Sequence, residues 1–378
     1  MANTVFITGA TGNIGGMIVA RLIDEGSSRL VLLVRAGSPA QARQRIENTV
    51  RILSPQTDLA SARERIRVVT GDTTLAGFGL EASVLRDLTT EVTHIIHAAA
   101  ATKFTLPLDV ARQTNLAGTR SVMAFAQRAR AAGQLVRVAH ISTAFVCGER
   151  GGTIYEDRLI DGQEFTNSYE RAKWEAERHV RSLMPDLPVD IFRPSIVVGD
   201  SRTGHTLTFN VLYPPLKLIF DGLLKTLPCS SHTHLDVVPL DFVAGAFRQI
   251  FFTPSDAPRK TYHLTTGCGS SPTVGDIVEH ACARYARNMS CAKPSVIFLG
   301  DKSGEVDSSE RAAHIRVMHR LFGQYGSYVS VERSFDTANT LAALAGTDIT
   351  VPTFADYADR IIDYFLEKSL KARVKHAA

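Results

Sequence analysis

Tyr169 and Lys173 lie four residues apart in the segment TNSYERAKWEAERHV. That spacing is about one helical turn, so both side chains project from one face of a helix. Ala172, Ala176 and Val180 recur on the same face, which predicts a helix packed against a core. Burying an ammonium without a partner is costly, so a nearby group should pair with it. The attraction between an ammonium and a phenolate roughly 4 Å apart, at an effective dielectric constant near 20, is about 4 kcal/mol. We therefore expect Lys173 to lower the pKa of Tyr169, whose phenol would act as a general acid.

A glycine-rich turn near the N-terminus indicates a nucleotide site. The strand-like run 5–8 leads into GATGNIGG and then into an apolar, helix-like stretch through Ile23. Gly9 permits a tight turn, Gly12 lets the backbone approach a pyrophosphate, and Gly15 lets the helix pack closely, its first amides facing the anion. A strand-to-helix turn that is glycine-rich by chance is the alternative. We predict that this segment binds a dinucleotide through Thr8, Gly9, Thr11, Gly12, Asn13, Ile14 and Gly15.

The position of Arg35 bears on which dinucleotide is used. An enzyme that prefers NAD carries an acidic residue about 20 residues past the glycines, where it binds the ribose hydroxyls. Counting twenty residues from Gly15 reaches Arg35 at the end of LVLLVR, with no acidic neighbour. An arginine there can pair with a 2′-phosphate, although it could also be an ordinary surface residue. The sequence predicts NADPH as the cofactor.

These side chains must be positioned by a fold in which strands and helices alternate. Strand-like runs occupy 30–34, 66–70, 94–97, 136–141 and 189–192, and helix-length segments such as 40–53 and 116–132 lie between them. Such alternation predicts an α/β fold of Rossmann type, with a doubly wound parallel sheet and helices on both faces. No internal repeat or low-complexity tract interrupts it.

After Gly199 the alternation loosens, which predicts a smaller α+β substrate domain toward the C-terminus. We expect a cofactor domain over 1–200 with a returning segment at about 235–268, and a substrate-binding part made of 201–234 and 269–378. The segment FNVLYPPLKLIFDGLL, from Phe209 to Leu224, is apolar enough to line a lipid-like pocket or to be ordinary helix core.

Composition limits the classes of partner. The chain of 378 residues has 42 Lys and Arg against 38 Asp and Glu, a net charge of +4 that is too small to argue for nucleic acid. Its five cysteines show no CxxC pair, so neither a disulfide framework nor a structural zinc site is indicated. No apolar run reaches the roughly 20 residues needed to span a bilayer, and no cleavable leader is evident. The expected location is the cytoplasm, and the oligomeric state stays open.

A third element, HISTAFVCG at 140–148, lies at the end of a predicted strand. Together with the glycine motif and the YxxxK helix, it resembles the extended short-chain dehydrogenase/reductases. In that family a Ser or Thr lies five residues before this glycine, which selects Thr143 rather than Ser142. Other matching segments are GDTT, HAAAA, TNLAGT and FRPSIVVG. By this resemblance they add the cofactor contacts Asp72, Thr73, Ala98, Ala99, Ala100, Asn115, Pro194, Ser195 and Ile196.

Within that family, HAAAATKFTLPLDVARQTNLAGT, HISTAF and FRPSIVVGDSRTG are most similar to fatty acyl-CoA reductases and to thioester reductase domains. The resemblance implies that Tyr169 protonates the carbonyl oxygen of an acyl thioester while hydride arrives from NADPH. Thr143 would hold the same oxygen, and Lys173 would also reach the ribose hydroxyls. The substrate would be carried by coenzyme A or by a carrier protein, and the product would be an aldehyde or a primary alcohol.

Several alternatives remain open at this stage. Cys147 could be a nucleophile of the aldehyde-dehydrogenase type, but a buried, inert cysteine is the simpler interpretation. His232, His234 and Asp236 imitate a metal site on a strand, yet further ligands are missing, so no metal is expected. Asn115 either fixes the HAAAA segment or caps the helix that follows it. A ketone reductase or nucleotide-sugar epimerase, and a catalytically silent dinucleotide-binding protein, are the competing functions.

Overall fold

The computed structural model describes residues 3–254, 259–301, 323 and 326–377. The strands, in chain order, are β1 Asn3–Thr8, β2 Ser28–Val34, β3 Ile66–Thr70, β4 His94–His97, β5 Arg137–Ile141, β6 Gly152–Ile154, β7 Val189–Pro194, β8 Ile196–Val198, β9 Thr226–Leu227, β10 Val237–Pro239, β11 Thr261–Leu264, β12 Ile297–Phe298 and β13 Arg333–Phe335. The α-helices are α1 Asn13–Glu25, α2 Pro39–Leu53, α3 Ala82–Glu91, α4 Leu108–Arg112, α5 Gly118–Ala131, α6 Ser168–Leu183, α7 Tyr213–Phe220, α8 Leu240–Phe252, α9 Val274–Met289, α10 Gly326–Ser330, α11 Ala338–Leu344 and α12 Phe354–Ala377.

Seven strands form the main sheet, in the order β11-β7-β5-β4-β1-β2-β3, and every neighbouring pair is parallel. The chain winds outward in both directions from β1, so the strand order reverses between β1 and β4. In open parallel sheets ligands bind at this reversal, beyond the carboxyl ends of the strands. The predicted Rossmann-type doubly wound sheet is confirmed.

The residues of β1 show why this sheet is covered on both sides. Val5 and Ile7 belong to a hydrophobic cluster that includes residues of α1, α2 and α8. Phe6, between them in sequence, belongs to a second cluster formed with residues of α3 and α5. Because successive side chains in a strand point to opposite faces, a continuous apolar run requires helices on both faces.

A third hydrophobic cluster lies in the smaller C-terminal part, where residues of α7, α9 and α12 pack together. Strands β8 and β10 form a short parallel pair beside it. This part agrees with the predicted α+β unit, whereas the boundary at residue 200 stays a prediction. The prediction that His232 and His234 lie on a strand is wrong. His232 lies in a turn, and His234 makes only an isolated bridge to Thr273.

The helix predicted over 116–132 begins earlier and is irregular. A π-helical turn, Gln113–Ala117, joins α4 to α5 without a break in the chain's helical path. Turns of this type are rare and commonly occur at functional sites. This one carries Asn115 toward the carboxyl end of β4, which places it beside the reversal in strand order.

Candidate active site

In the turn after β1, the backbone packs closely against neighbouring backbone segments. Gly9 has a φ of +75°, and a Cβ there would lie 2.4 Å from the Ala98 carbonyl carbon. A Cβ on Gly15 would lie 2.2 Å from the Gly9 carbonyl oxygen, so α1 packs directly on the turn. Gly12 is the N-cap of α1 and provides no side-chain cap. The first amides of α1 are therefore available to an anionic group, which fits the pyrophosphate of a dinucleotide.

The side chain of Asn13 is hydrogen-bonded to residues 206–208. Its carbonyl oxygen accepts hydrogen bonds from the Leu207 amide, at 2.7 Å, and from the Thr206 hydroxyl, at 3.2 Å. Its amide nitrogen donates to the Thr208 hydroxyl at 3.1 Å. One residue of the glycine motif thus ties the turn to a segment almost 200 residues away. The expected contact between Asn13 and a cofactor stays a prediction.

Two arginines lie next to the glycine turn, and sequence reasoning found only one. Arg35 follows β2, has a side chain that is 74% exposed, and lies 3.7 Å from the Asp72 carboxylate. Arg45 on α2 donates to the Arg35 carbonyl and, at 3.3 Å, to the Thr11 hydroxyl. The Arg45 guanidinium therefore lies at the edge of the turn where a ribose is expected, whereas the Arg35 guanidinium lies beside Asp72. Arg45 carries no local motif that would have identified it.

Beneath the turn, a chain of hydrogen bonds fixes the carboxyl ends of β1 and β4. The Thr8 hydroxyl lies 2.8 Å from Nδ1 of His97, whose Nε2 lies 2.9 Å from the Thr119 hydroxyl. Burial lowers the pKa of His97 to about 3, with a smaller contribution from the Lys173 charge, so the ring is neutral. His97 is therefore a support for the two strands.

Asn115 holds the HAAAA segment in place. Its side-chain oxygen accepts from the Ala101 amide at 2.7 Å, and its nitrogen donates to the Ala101 carbonyl at 3.1 Å. Asn115 is 1% exposed. Of the two roles left open by the sequence, the structure shows the fixing of this segment. Any contact of Asn115 with a cofactor stays a prediction.

The structure brings Thr143, Tyr169 and Lys173 together at the carboxyl end of β5. The Thr143 hydroxyl hydrogen-bonds to the Tyr169 phenol oxygen, and its own oxygen accepts from the Phe145 amide at 3.3 Å. The ammonium of Lys173, on a side chain that is 2% exposed, donates to the Ile141 carbonyl at 2.6 Å. The three side chains predicted to be catalytic therefore line one wall of the same cleft, and their roles stay predictions.

The pKa of Tyr169 differs from the value expected from the sequence. Burial raises the pKa of Tyr169 to about 12, and the hydrogen bond from Thr143 and the nearby Glu170 act on it more weakly. The expected lowering by Lys173 is wrong here, because desolvation of the phenolate dominates. Burial also lowers the pKa of Lys173 to about 8. Tyr169 is thus fully protonated at neutral pH, which is the form a proton donor needs.

A buried ion pair joins helix α6 to strand β7. The Glu177 carboxylate on α6 accepts from the Arg193 guanidinium on β7 at 2.6 and 3.0 Å, and from the Ser142 hydroxyl at 2.7 Å. Although burial opposes it, the charges of Arg193 and Arg181 hold the pKa of Glu177 down at about 2. Ser142, the residue beside Thr143, is therefore committed to structure, which agrees with the choice of Thr143.

A cleft of about 690 Å³ runs from the glycine turn to Tyr169. Among the predicted contact residues it is lined by Thr11, Gly12, Asn13, Ile14, Gly15, Ala98, Ala100, Thr143, Tyr169, Lys173, Pro194, Ser195 and Ile196. Outside its lining are Thr8, Gly9, Arg35, Asp72, Thr73, Ala99 and Asn115. Asp72 instead accepts from the backbone amide and the hydroxyl of Thr74, both at 2.9 Å.

Cys147 has the environment of an inert thiol. It is 4% exposed, and burial raises its pKa. The Arg333 guanidinium donates to its sulfur at 3.5 Å, yet this cation does not overcome the effect of burial. A thiolate nucleophile at this position is not supported.

Two of the residues that resemble a metal site in the sequence, His234 and Asp236, bind other side chains. The His234 ring pairs with Glu332 at 2.8 Å, and the Asp236 carboxylate accepts from the Ser195 hydroxyl at 2.5 Å. In the described ranges, no three His, Cys, Asp or Glu side chains gather as a metal site would require.

Over the same ranges, each helix is either too short or too polar to cross a membrane.

Comparison with known proteins supports the dinucleotide interpretation. An NAD-binding family described as Male sterility protein matches residues 7–247. Glycine betaine reductase ATRR of Emericella nidulans is 29% identical over 259 residues, which cover 65% of this chain and 19% of that protein. Fatty acyl-CoA reductase wat of Drosophila melanogaster is 27% identical over 274 residues, covering 64% of this chain and 52% of that protein. This chain therefore spans less than two thirds of either relative.

A solved structure shares the whole fold. The terminal R domain from the myxalamid PKS-NRPS biosynthetic pathway matches with a TM-score of 0.80, covering 97% of this chain and 91% of that domain. The two sequences are 24% identical, so the likeness shows a common fold. It extends beyond residue 247 and includes the C-terminal part that the family match leaves out.

Proposed function

The chain belongs to the male sterility protein family of NAD-binding proteins, and from this premise we propose that it reduces an acyl thioester with NADPH. The observation that carries the proposal is the arrangement of Thr143, Tyr169 and Lys173 along one cleft with the glycine turn. Reductases among the relatives support the same reaction class.

The protein's own groups would act on the carbonyl oxygen of the thioester. Bound NADPH supplies hydride to the carbonyl carbon. Thr143 and Tyr169 would donate hydrogen bonds to the oxygen as negative charge develops there, and Tyr169 would then transfer its proton. The resulting hemithioacetal breaks its carbon–sulfur bond, giving an aldehyde and a free thiol. No covalent bond to the protein is formed, in keeping with the buried Cys147.

Lys173 would serve in two ways. Its ammonium, fixed by Ile141, lies on the same helix face as Tyr169 and provides positive charge as the phenol gives up its proton. By family resemblance it also binds the ribose hydroxyls next to the nicotinamide. The family shows an NAD-type cofactor, and the neighbouring Arg35 and Arg45 favour the 2′-phosphate of NADPH.

The thiol would belong to coenzyme A or to the phosphopantetheine arm of a carrier protein. Both present the same thioester, and neither is favoured by a described contact. Nothing in Thr143, Tyr169 or Lys173 discriminates a thioester carbonyl from an aldehyde, so the aldehyde can be reduced again. We therefore propose that reduction continues to the primary alcohol when the aldehyde stays bound.

The alternative, a ketone reductase or nucleotide-sugar epimerase, is less well supported because the two sequence relatives described above are named as reductases. One assay separates the functions: NADPH oxidation and thiol release are followed together with a panel of acyl-CoA and acyl-carrier-protein thioesters. Two NADPH oxidised per thiol released indicates the alcohol, and one indicates the aldehyde. Reduction of simple ketones without any thioester activity would refute the proposal.

A further inference from the structure

A second cavity of about 420 Å³ lies beside the cofactor cleft, and Val211 and Tyr328 line both. The walls of this second cavity are mainly aliphatic. Helix α7 and the residue before it contribute Leu212, Pro215, Leu216 and Ile219, and α9 contributes Val274, Ile277 and Val278. A cavity of this size and lining suits a hydrocarbon chain rather than a sugar or a nucleotide, whose hydroxyl groups would lose their hydrogen bonds there.

Tyr328 forms the wall between the two spaces. Its ring packs on Phe145, with 4.3 Å between ring centroids, and on Phe104, with 5.9 Å. Phe104 in turn stacks on Tyr169 at 5.6 Å. An aromatic layer thus begins at the predicted proton donor and ends at the entrance of the aliphatic cavity.

The phenol of Tyr328 is held by the catalytic helix. It hydrogen-bonds to the Glu170 carboxyl and to the Asn167 side chain, although Tyr328 itself lies in α10, about 160 residues further along the chain. Asn167 caps α6 through the Glu170 amide at 3.0 Å and donates to the Glu170 carboxyl at 3.0 Å. The position of this wall is therefore set by the residue next to Tyr169.

We propose that the aliphatic cavity receives the acyl chain of the thioester and that Tyr328 determines which chain lengths are accepted. A short acyl group ends before the Tyr328 ring. A longer one must pass the Tyr328–Val211 boundary to bury its distal methylene groups in the cavity. Each buried CH₂ contributes about 0.8 kcal/mol, so the cavity favours chains long enough to enter it. This inference rests on the proposed function for the identity of the substrate.

The test compares butanoyl-CoA with decanoyl-CoA in matched variants. Leu216→Phe fills the cavity from α7, and Leu223→Phe, at a position that is 74% exposed just beyond that helix, is the control. We expect Leu216→Phe to lower kcat/KM for the decanoyl thioester at least about tenfold and for the butanoyl thioester less than about twofold. Leu223→Phe should change neither. Tyr328→Ala should raise the decanoyl-to-butanoyl ratio of kcat/KM, because it removes the wall.

A binding measurement separates this inference from the proposed function. Calorimetric titration with decan-1-ol and butan-1-ol needs no turnover. If the protein reduces no thioester but binds decan-1-ol, and Leu216→Phe weakens that binding, the cavity assignment stands and the proposed function fails. If thioesters are reduced but Leu216→Phe and Tyr328→Ala change both chain lengths equally, the cavity assignment is overturned. Should Leu216→Phe fail to fold, Leu227→Phe fills the cavity from β9 and takes its place.

Discussion

The Lys173 ammonium nitrogen lies 2.6 Å from the carbonyl oxygen of Ile141, the last residue of β5. The strand that precedes Thr143 thereby fixes the cation of the helix that carries Tyr169. A buried ammonium needs such a partner, since burial lowers the pKa of Lys173 to about 8 even though the charge of Glu177 opposes this shift. Tyr169, its hydrogen-bond partner Thr143 and the ammonium of Lys173 are consequently held by one strand end and one helix face.

Replacing Tyr169 by Phe should nearly abolish turnover while NADPH binding stays almost unchanged. The substitution removes the proton that the carbonyl oxygen needs but keeps the ring that packs on Phe104. Steady-state rates and fluorescence titration with NADPH measure the two effects. Tyr155→Phe, at a position that is 46% exposed, is the matched control and should behave as wild type. Near-native turnover of Tyr169→Phe would falsify the mechanism.

Replacing Thr143 by Ala should lower kcat by roughly 10²–10³-fold, the usual effect of removing one donor to a developing oxyanion. The KM for the thioester should change little, because the lost hydrogen bond strengthens mainly in the transition state. Thr143→Ser keeps the hydroxyl and should recover most of the activity. A similar loss in the Ser and Ala variants would instead indicate a packing role for the methyl group.

The Lys173→Ala variant should lose both turnover and affinity for NADPH. Its ammonium is proposed to serve the phenol and the ribose, so kcat and the dissociation constant should worsen together. Arg171→Ala removes a cation from the exposed side of the same helix, where the side chain is 51% exposed, and is the control. Loss of turnover with unchanged NADPH affinity would show that Lys173 does not reach the cofactor.

Arg35→Ala and Arg45→Ala should each weaken NADPH binding about tenfold or more and leave NADH binding nearly unchanged. A hydrogen bond to a charged group contributes about 1.5–3 kcal/mol, and only NADPH carries the 2′-phosphate. Arg43→Ala, an exposed position on the same helix α2, is the control. The dissociation constants of both cofactors, measured by calorimetry, test this prediction. An equal loss of affinity for NADPH and NADH would count against a 2′-phosphate site.

Glu170 should make stability depend on pH. Burial raises its pKa to about 7, while the bond from Tyr328 and the charge of Arg333 oppose this rise. In the unfolded chain the pKa is about 4.3, so between these values the folded protein binds more protons than the unfolded one. The contribution of Glu170 to stability is therefore fully present below about pH 4.3, is lost as pH rises to about 7, and is constant above that.

Urea unfolding from pH 4 to 8 measures this effect. The difference in unfolding free energy between the wild type and Glu170→Gln should fall by at most about 1.4 kcal/mol per pH unit in this window, since glutamine does not titrate. The other buried carboxyls, such as Glu156 and Asp236, are present in both proteins and cancel. Glu164→Gln, at an exposed position, should show no such trend. A pH-independent difference for Glu170→Gln would contradict the assignment.

The parts of the molecule that sequence predicted well are those whose signals are local. The predicted strands at 66–70 and 94–97 agree with the structure to the residue. All four residues of 94–97 are buried, as expected inside a parallel sheet, whereas 66–70 is an edge strand in which only Val69 is buried. The Tyr169–Lys173 spacing likewise needs only one helix. The prediction of a strand at His232 was wrong, because two alternating histidines in a short polar segment are too weak a pattern to predict a strand.

What sequence could not predict depends on packing between distant segments. Arg45 reaches the glycine turn only because α2 folds back beside it, and Tyr328 meets Glu170 across about 160 residues. The direction of the Tyr169 pKa shift was also missed. Spacing along a helix predicts that a cation is near, but it does not predict how completely the phenol is removed from water.

The hydrogen bonds between Asn13 and residues 206–208 have a dynamic consequence. These residues begin the stretch that runs through Leu207, Phe209 and Val211 along the cleft and on to the aliphatic cavity. A movement that swings this stretch outward must first break the bonds from Asn13, which belongs to the turn that would grip the pyrophosphate. We therefore expect the reduced product and the oxidised dinucleotide to leave in the same opening step.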